Sequence, residues 1–225
     1  MIIESGSDAS GKATQSNLLY HRLLNDGYRA RKVEYPNYNS DSSALVKMYL
    51  NGDFGEQPGD VNPYVASTFF AVDRFASFKR EWEDFYMDGG IIIADRYTTS
   101  NMVHQAAKFL DVKTKDEFLN WLWNFEFRLF QLPEPDVVFF LDLPPLHSKR
   151  LLQERMGRGQ VGENRDIHEL DDDYLRQSYH NALYVADKYG WVKIACTDGM
   201  ELLSIEDIHE AVYHQALNHL GALGL

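Results

Sequence analysis

Gly6-Ser7-Asp8-Ala9-Ser10-Gly11-Lys12 decides the fold of this 225-residue chain. Just before it, Ile2-Ile3-Glu4 reads as the end of a strand. Just after it, residues 12–26 read as a helix, with Leu19 and Leu23 spaced i, i+4 and Gly27 placed to stop it. The spacing G-x-x-x-x-G-K between a strand and a helix predicts a loop that cradles phosphate. Glycines let the backbone wrap an anion, consecutive N–H groups point inward, and the helix N-terminus adds its positive end. Lys12 then reaches the outer phosphates. In this motif the next residue is Ser or Thr, whose hydroxyl binds magnesium. Here it is Ala13, which cannot ligate a metal, and Thr14 points about 100° further round the helix. Two alternatives stay open: an ion held through water and carboxylates such as Asp8 and Asp95, or weakened metal binding.

Outward from the loop, short apolar runs alternate with helical stretches. Tyr28 to Tyr35 reads as a strand closed by Pro36. Asn62-Pro63 is a helix start, a capping side chain followed by Pro at the first helical position, and the helix is predicted to run to about Met87. Gly90 to Asp95 and Val137 to Leu141 are continuous apolar runs, the pattern of strands buried on both faces. Helices are predicted over 98–110 and 115–131, two more over 145–189, a strand from Trp191 to Cys196, and a last helix over 204–220. Strands separated by helices predict right-handed crossovers and a mostly parallel sheet covered on both faces. Residues 37–61, rich in Asn, Ser, Gly and Asp, read as a flexible insertion beside the site. No linker splits the chain, so 1–225 is read as one domain.

The composition, 44% hydrophobic and 25% charged, excludes disorder as the main state. A net charge of -12 excludes a general binder of nucleic acid or anionic membrane, so any phosphate must be held by a local basic cluster. The single cysteine, Cys196, excludes an intramolecular disulfide and fits a reducing, cytoplasmic setting. The first residues carry no basic n-region or apolar h-region, which predicts no signal peptide, and no apolar run is long enough for a membrane span.

At this point four motifs, in order from residue 4 to about 170, resemble the thymidylate kinases. Glu4 to Gln15 resembles their P-loop, Phe70-Ala71-Val72-Asp73-Arg74 their base-binding segment, Asp95-Arg96-Tyr97 with Ser100 and Asn101 their motif after the third strand, and Arg155, Arg158, Asp166 and Glu169 the lid of the bacterial type. The resemblance implies a P-loop NTPase fold, an α/β doubly wound five-stranded parallel sheet. It implies transfer of the γ-phosphoryl group of ATP to thymidine monophosphate with Mg2+, and a homodimer. The nucleotide loop is then Gly6, Ser7, Ala9, Ser10, Gly11, Lys12, Ala13 and Thr14, with Asp8 facing the acceptor sugar and the metal. An acceptor segment is expected at about 36–75 and a lid at about 149–170. One family arginine is unmatched, since Glu34-Tyr35-Pro36 stands in its place, with Tyr35 beside the acceptor.

The residues themselves support an acceptor nucleotide. Phe70 and Arg74 lie i, i+4 on one helix, an aromatic for stacking and a guanidinium for carbonyls or phosphate. Spacing alone does not separate Phe70 from Phe69, and a core Phe with a surface Arg would give the same pattern. Asp95-Arg96 closes a buried strand, the sheet edge where open α/β folds bind ligands. Arg96 is expected to grip phosphate. Asn101, His104 and Gln105 share a face of the next helix, with Asn101 reading the base by resemblance and His104 near the sugar. Lys149, Arg150, Arg155, Arg158 and Arg165 put five of the 22 basic residues in 17 positions, interleaved with Gly157, Gly159 and Gly162. Such a flap suits phosphoryl transfer, where catalysis is mostly positioning and charge stabilisation. In the resemblance Ala9 occupies the place of a loop arginine found in another branch, so Arg155 and Arg158 are the candidates to supply it. The competing readings are a kinase of another nucleotide or deoxynucleoside, and a nucleotide-binding regulatory protein, which Ala13 and Glu34 favour.

Overall fold

In the computed structural model, residues 1–7, 9–57, 59–157 and 172–224 are described, apart from the side chains of 155–157 and 172–174. Five parallel strands form the central sheet: β1 Ile2–Ser5, β2 Ala30–Glu34, β3 Ile91–Asp95, β4 Val138–Asp142 and β5 Val192–Ala195, in the order β2-β3-β1-β4-β5. Ile2 pairs with Ala94 on one side and Val138 on the other, so β1 is central and its C-terminal end opens into the phosphate loop.

Alternation along the strands fills both faces. Ile2, Ile92, Ala94, Val138 and Phe140 point into one core cluster, and Ile3, Ile93, Phe139, Leu141 and Ile194 into the other. Side-chain direction alternates along a strand, so a continuous apolar run demands cover on both sides. On the Ile3 side that cover is α1 (Lys12–Asn25), through Leu19 and Leu23, and a C-terminal helix over Ile205–Leu223, through Ile208, Val212 and Ala216. The other face is covered by Phe78, Trp82, Met102, Phe118, Leu122, Ala182 and Val185, from helical segments between 63 and 188.

After α1 the chain continues with α2 (Ala44–Leu50) and α3 (Pro63–Ser77), the latter capped by the Asn62 side chain, which accepts from the Tyr64 N–H. The expected continuation of α3 to Met87 is present, but it passes through a π-helical turn, Phe78–Trp82, before α4 (Glu83–Met87). Next come α5 (Thr98–His104) and α6 (Val112–Trp123), which Asp111 caps and which also ends in a π-helical turn, Asn124–Leu129. Then follow α7 (Pro145–Gly157), α8 (Asp172–Lys188) and the C-terminal helix, α9. A two-stranded antiparallel ribbon, β6 (Thr197–Asp198) and β7 (Glu201–Leu202), has no counterpart in the sequence reading.

The reading of 37–61 as a flexible insertion is corrected. This segment folds α2 onto α3 and owns a small core of Val46, Tyr49, Leu50, Val61 and Ala66, with Phe69 and Phe70 packed on it. Its apolar residues gather in Ala44 to Leu50, where Val46, Tyr49 and Leu50 form the buried face of a helix too short to show in a wider periodicity. Asp73 of α3 fastens the segment, accepting from the Asn37 N–H at 2.8 Å and the Ser42 hydroxyl at 2.6 Å.

Candidate active site

The phosphate loop leaves β1 and enters α1 through Gly11, whose φ of 88° lies where a Cβ is disfavoured. Ala9, at φ 55°, is also left-handed without being glycine. Gly6 is demanded by packing: a Cβ there would lie 2.9 Å from the Tyr179 Cα of α8. Lys12 is buried and turned under the loop. Its Nζ donates to the Ser7 carbonyl at 2.7 Å, the Ser5 hydroxyl at 2.8 Å and the Ser10 hydroxyl at 3.2 Å. Ser5 and Ser10 share a 2.6 Å hydrogen bond. Thr14 lines a cavity of about 240 Å³ beside the loop, together with Gln15, Leu143, Leu151, Cys196 and Leu203.

At the end of β3, adjacent to β1, Asp95 is buried. Burial pushes its carboxyl above the usual carboxylate range, against the pull of Arg96, Lys12 and Lys32. Arg96 follows at φ 66°, a left-handed conformation that costs a non-glycine residue on the order of 1–3 kcal/mol and that clusters at functional sites. Its Nη1 lies 3.3 Å from the Nε2 of His104, whose Nδ1 is 3.0 Å from the Ser178 hydroxyl. An arginine only donates, so Nε2 is the accepting nitrogen and Nδ1 carries the proton toward Ser178. Glu4, fully buried on β1, ties this edge to the phosphate loop. Its Oε2 accepts from the hydroxyls of Ser100 at 2.6 Å and Thr99 at 2.8 Å, and its Oε1 from the Ser5 N–H.

Arg74 is 1% exposed, so its guanidinium lies in the interior. Nε and Nη2 donate to Glu126 at 2.7 and 2.6 Å, and Nη1 to the Tyr97 carbonyl at 3.3 Å. Glu126, fully buried on the π turn after α6, also accepts from the Thr98 hydroxyl at 2.7 Å and from Asn101 Nδ2 at 3.4 Å. Asn101 Nδ2 reaches the Ser67 carbonyl as well. Phe70, one turn before Arg74, is half-buried and meets Tyr49 edge-on.

The fold therefore brings Lys12, Asp95, Arg96, Ser100, Asn101 and His104 to the C-terminal edge of β1 and β3, with Phe70 and Arg74 arriving from α3. Tyr35 joins this edge through its backbone, its N–H donating to the Asp95 carbonyl at 3.1 Å. It is a core residue whose hydroxyl meets Ser77 at 3.2 Å and Trp82 Nε1 at 3.0 Å, and burial pushes its phenol up to about 12. Ser100 faces Glu4. Asp8, Arg158, Arg165, Asp166 and Glu169, and the side chain of Arg155, lie outside the described residues. Among the described residues no cluster of three His, Cys, Asp or Glu forms a metal cage. The sequence reading missed Glu126 and Ser178, and it held Glu4 only as the first residue of the loop motif. Glu126 had a signal: a lone carboxylate inside Phe125-Glu126-Phe127, on a helix that turns apolar residues inward, requires a buried cation.

A sequence profile described as thymidylate kinase matches residues 3–211. A probable thymidylate kinase of Pyrococcus horikoshii is 30% identical over 94% of this chain and 92% of its own. The thymidylate kinase of Plasmodium falciparum is 25% identical over 94% of this chain and 86% of its own. That of Schizosaccharomyces pombe is 28% identical over 73% and 68% respectively.

Proposed function

Because the chain belongs to the thymidylate kinase family, we infer that it is an ATP-dependent nucleoside monophosphate kinase that phosphorylates thymidine monophosphate to thymidine diphosphate. The observation that carries this reading is the joining of two motifs through Glu4. The carboxylate that follows the apolar start of β1 bonds Thr99 and Ser100, so the phosphate loop and the Asp95-Arg96 edge form one continuous wall. Donor and acceptor phosphates meet along that wall.

Each residue then has a role. Lys12 exchanges its loop oxygens for the outer phosphates of ATP, with the loop N–H groups of 6–14 around them. Arg96, its backbone held left-handed and its guanidinium braced by His104, holds the acceptor phosphate. Phe70 stacks on the base, and Arg74 and Asn101 read its edge. The acceptor phosphate oxygen is already an anion, so no general base is needed. Asp8 and Glu169 are proposed on the acceptor side, the segment 36–75 as its frame, and the lid at 149–170 as the source of Arg155 and Arg158 for the transferring group. The cavity beside Thr14, with Leu143, Leu151 and Leu203, is sized and lined for the adenine ring.

The residues present fit magnesium that is held mainly by phosphate oxygens and water. Ala13 offers no oxygen, and the Asp95 carboxyl, kept above its usual range by burial, gains from a nearby dication. Magnesium usually keeps several waters in such sites. Asp95, with Asp8, would receive those waters, and the bound ion would neutralise charge between the outer phosphates.

A coupled assay for ADP release, with and without thymidylate, tests the reading. Release only with thymidylate supports it. Binding of ATP with no release identifies instead a nucleotide-binding protein with impaired transfer, the alternative that Ala13 favours. We also propose a homodimer in the cytoplasm. Exposed Val65, Val72 and Phe75 lie along α3, and Phe75 meets Phe130, which follows exposed Leu129, giving an apolar face that a second copy would cover. Sedimentation of the wild type and of Val72→Glu measures that association. No described helix is long and apolar enough to cross a membrane.

A further inference from the structure

Glu126 makes no contact that the phosphoryl transfer uses, yet it is the most heavily bonded carboxylate around the acceptor face. Building on the thymidylate reading above, we propose that Glu126 fixes the position of the Arg74 guanidinium and sets the hydrogen-bonding polarity of Asn101, and so determines which pyrimidine the site accepts.

The argument starts from Asn101. An amide presents a carbonyl oxygen at one end and an NH₂ at the other, and its orientation is fixed by its neighbours. The two neighbours on one side are Glu126 Oε1 and the Ser67 carbonyl, each at 3.4 Å. Both are acceptors only, so that end is the NH₂. The other end is therefore Oδ1, an acceptor, and it makes no side-chain hydrogen bond among the described residues.

Arg74 is fixed from the same carboxylate. Of its five N–H groups, those on Nε and Nη2 that face Glu126 are taken, and one on Nη1 faces the Tyr97 carbonyl. The remaining N–H groups can only donate. One buried carboxylate thus holds a donor from α3 and turns the acceptor of Asn101 on α5. Thymine presents the complement, an accepting O4 next to a donating N3–H. Cytosine presents the reverse at both positions, an amino group and a bare ring nitrogen. A cytosine base would leave buried groups unpaired on both sides, the arrangement that discriminates most strongly.

The π turn explains how a residue from α6 reaches this place. A widened turn re-aims one side chain without ending the helix, and such turns recur at functional sites. Phe125 stacks on Trp121 and Phe127 enters the core, while Glu126 between them is delivered to Arg74.

Two variants test the proposal. Glu126→Gln carries one NH₂ in place of an oxygen, so Asn101 can turn and offer its own NH₂ to a base. Glu126→Asp keeps a charge for Arg74 but withdraws its oxygens from Asn101. The readout is the ratio of kcat/KM for thymidylate to that for deoxycytidylate, with folding checked by circular dichroism. A loss of framework lowers both substrates together and leaves the ratio alone. We expect the ratio to fall by roughly tenfold or more in Glu126→Gln, and also to fall in Glu126→Asp, which decides the matter should the first variant not fold. A wild-type ratio retained in a folded variant overturns the proposal. A wild-type enzyme that does not favour thymidylate refutes the thymidylate reading itself, and this inference with it.

Discussion

Replacing Arg74 with alanine should cost stability before it costs recognition. Glu126 is fully buried and Arg74 1% exposed, and two charge-assisted hydrogen bonds of 2.7 and 2.6 Å join them. In Arg74→Ala the carboxylate keeps only Thr98 and the long contact to Asn101. A hydrogen bond to a charged group contributes about 1.5–3 kcal/mol, and stranding one partner of a buried pair costs about 3–5 kcal/mol. The two bonds together give about 3–6 kcal/mol, in line with the loss of about 3–5 kcal/mol for a stranded charge, out of a total of about 5–15 kcal/mol for a typical domain. For a chain of this size that is a fall in Tm of roughly 6–20 °C. Urea unfolding followed by circular dichroism measures it directly. The companion is Arg74→Met with Glu126→Leu, which removes both charges and fills the space. Buried pairs replaced in this way are often neutral or stabilised by about 1–4 kcal/mol, so the double variant should recover most of the loss. Should Arg74→Ala cost less than about 1 kcal/mol, or the double variant lose as much as the two single ones together, the reasoning that treats the pair as a mutually compensated charge is refuted. Activities of Arg74 variants must accordingly be normalised to the folded fraction.

Ala13→Ser restores a hydroxyl next to Lys12 and should lower the magnesium concentration for half-maximal rate, read from a metal titration of turnover; an unchanged titration means the ion does not use that position. Arg155→Ala and Arg158→Ala should lower kcat far more than they raise the KM for thymidylate, the signature of groups acting mainly in the transition state. Lys108 is held near the Tyr49 hydroxyl, and burial lowers its ammonium to about 8 from an ordinary 10.5. The unfolded chain therefore binds the extra proton between those values, so stability should rise as pH climbs from about 8 to 10.5. Lys108→Met should be more stable than wild type at pH 7, by on the order of 1–2 kcal/mol after its lost contacts are discounted, and should lack that rise.

The parallel sheet was legible because its strands are buried on two sides. Ile91-Ile92-Ile93-Ala94 and Val138-Phe139-Phe140-Leu141 leave no other period to choose. The phosphate loop was legible because spacing and context coincide. What escaped the reading depends on partners distant in sequence. Nothing local distinguishes Arg74 as an interior residue. Its place follows from Glu126, 52 positions away, which only the π turn brings near. Tyr35 likewise sits beside a motif in sequence, but Ser77 and Trp82 claim its hydroxyl. Residues 37–61 looked like a polar loop because the short apolar run Ala44 to Leu50 is flanked on both sides by stretches rich in Asn, Ser, Gly and Asp, although Tyr49 and Val46 are fully buried.

The sheet has two outer strands, β2 and β5, and an outer strand is a template on which another chain can add itself. On β2 the alternation Arg31, Lys32, Glu34 places charge along that rim, with Lys32 paired to Glu34 and Arg31 bonded to the Glu81 carbonyl. On β5 the rim carries Lys193, paired with Asp187. An incoming strand would have to strip these ions of water and partners before forming its first backbone hydrogen bonds. The chain can therefore be concentrated without its sheets fusing edge to edge, and neutral β-branched residues at 31 and 32 would convert a soluble rim into a nucleus for aggregation.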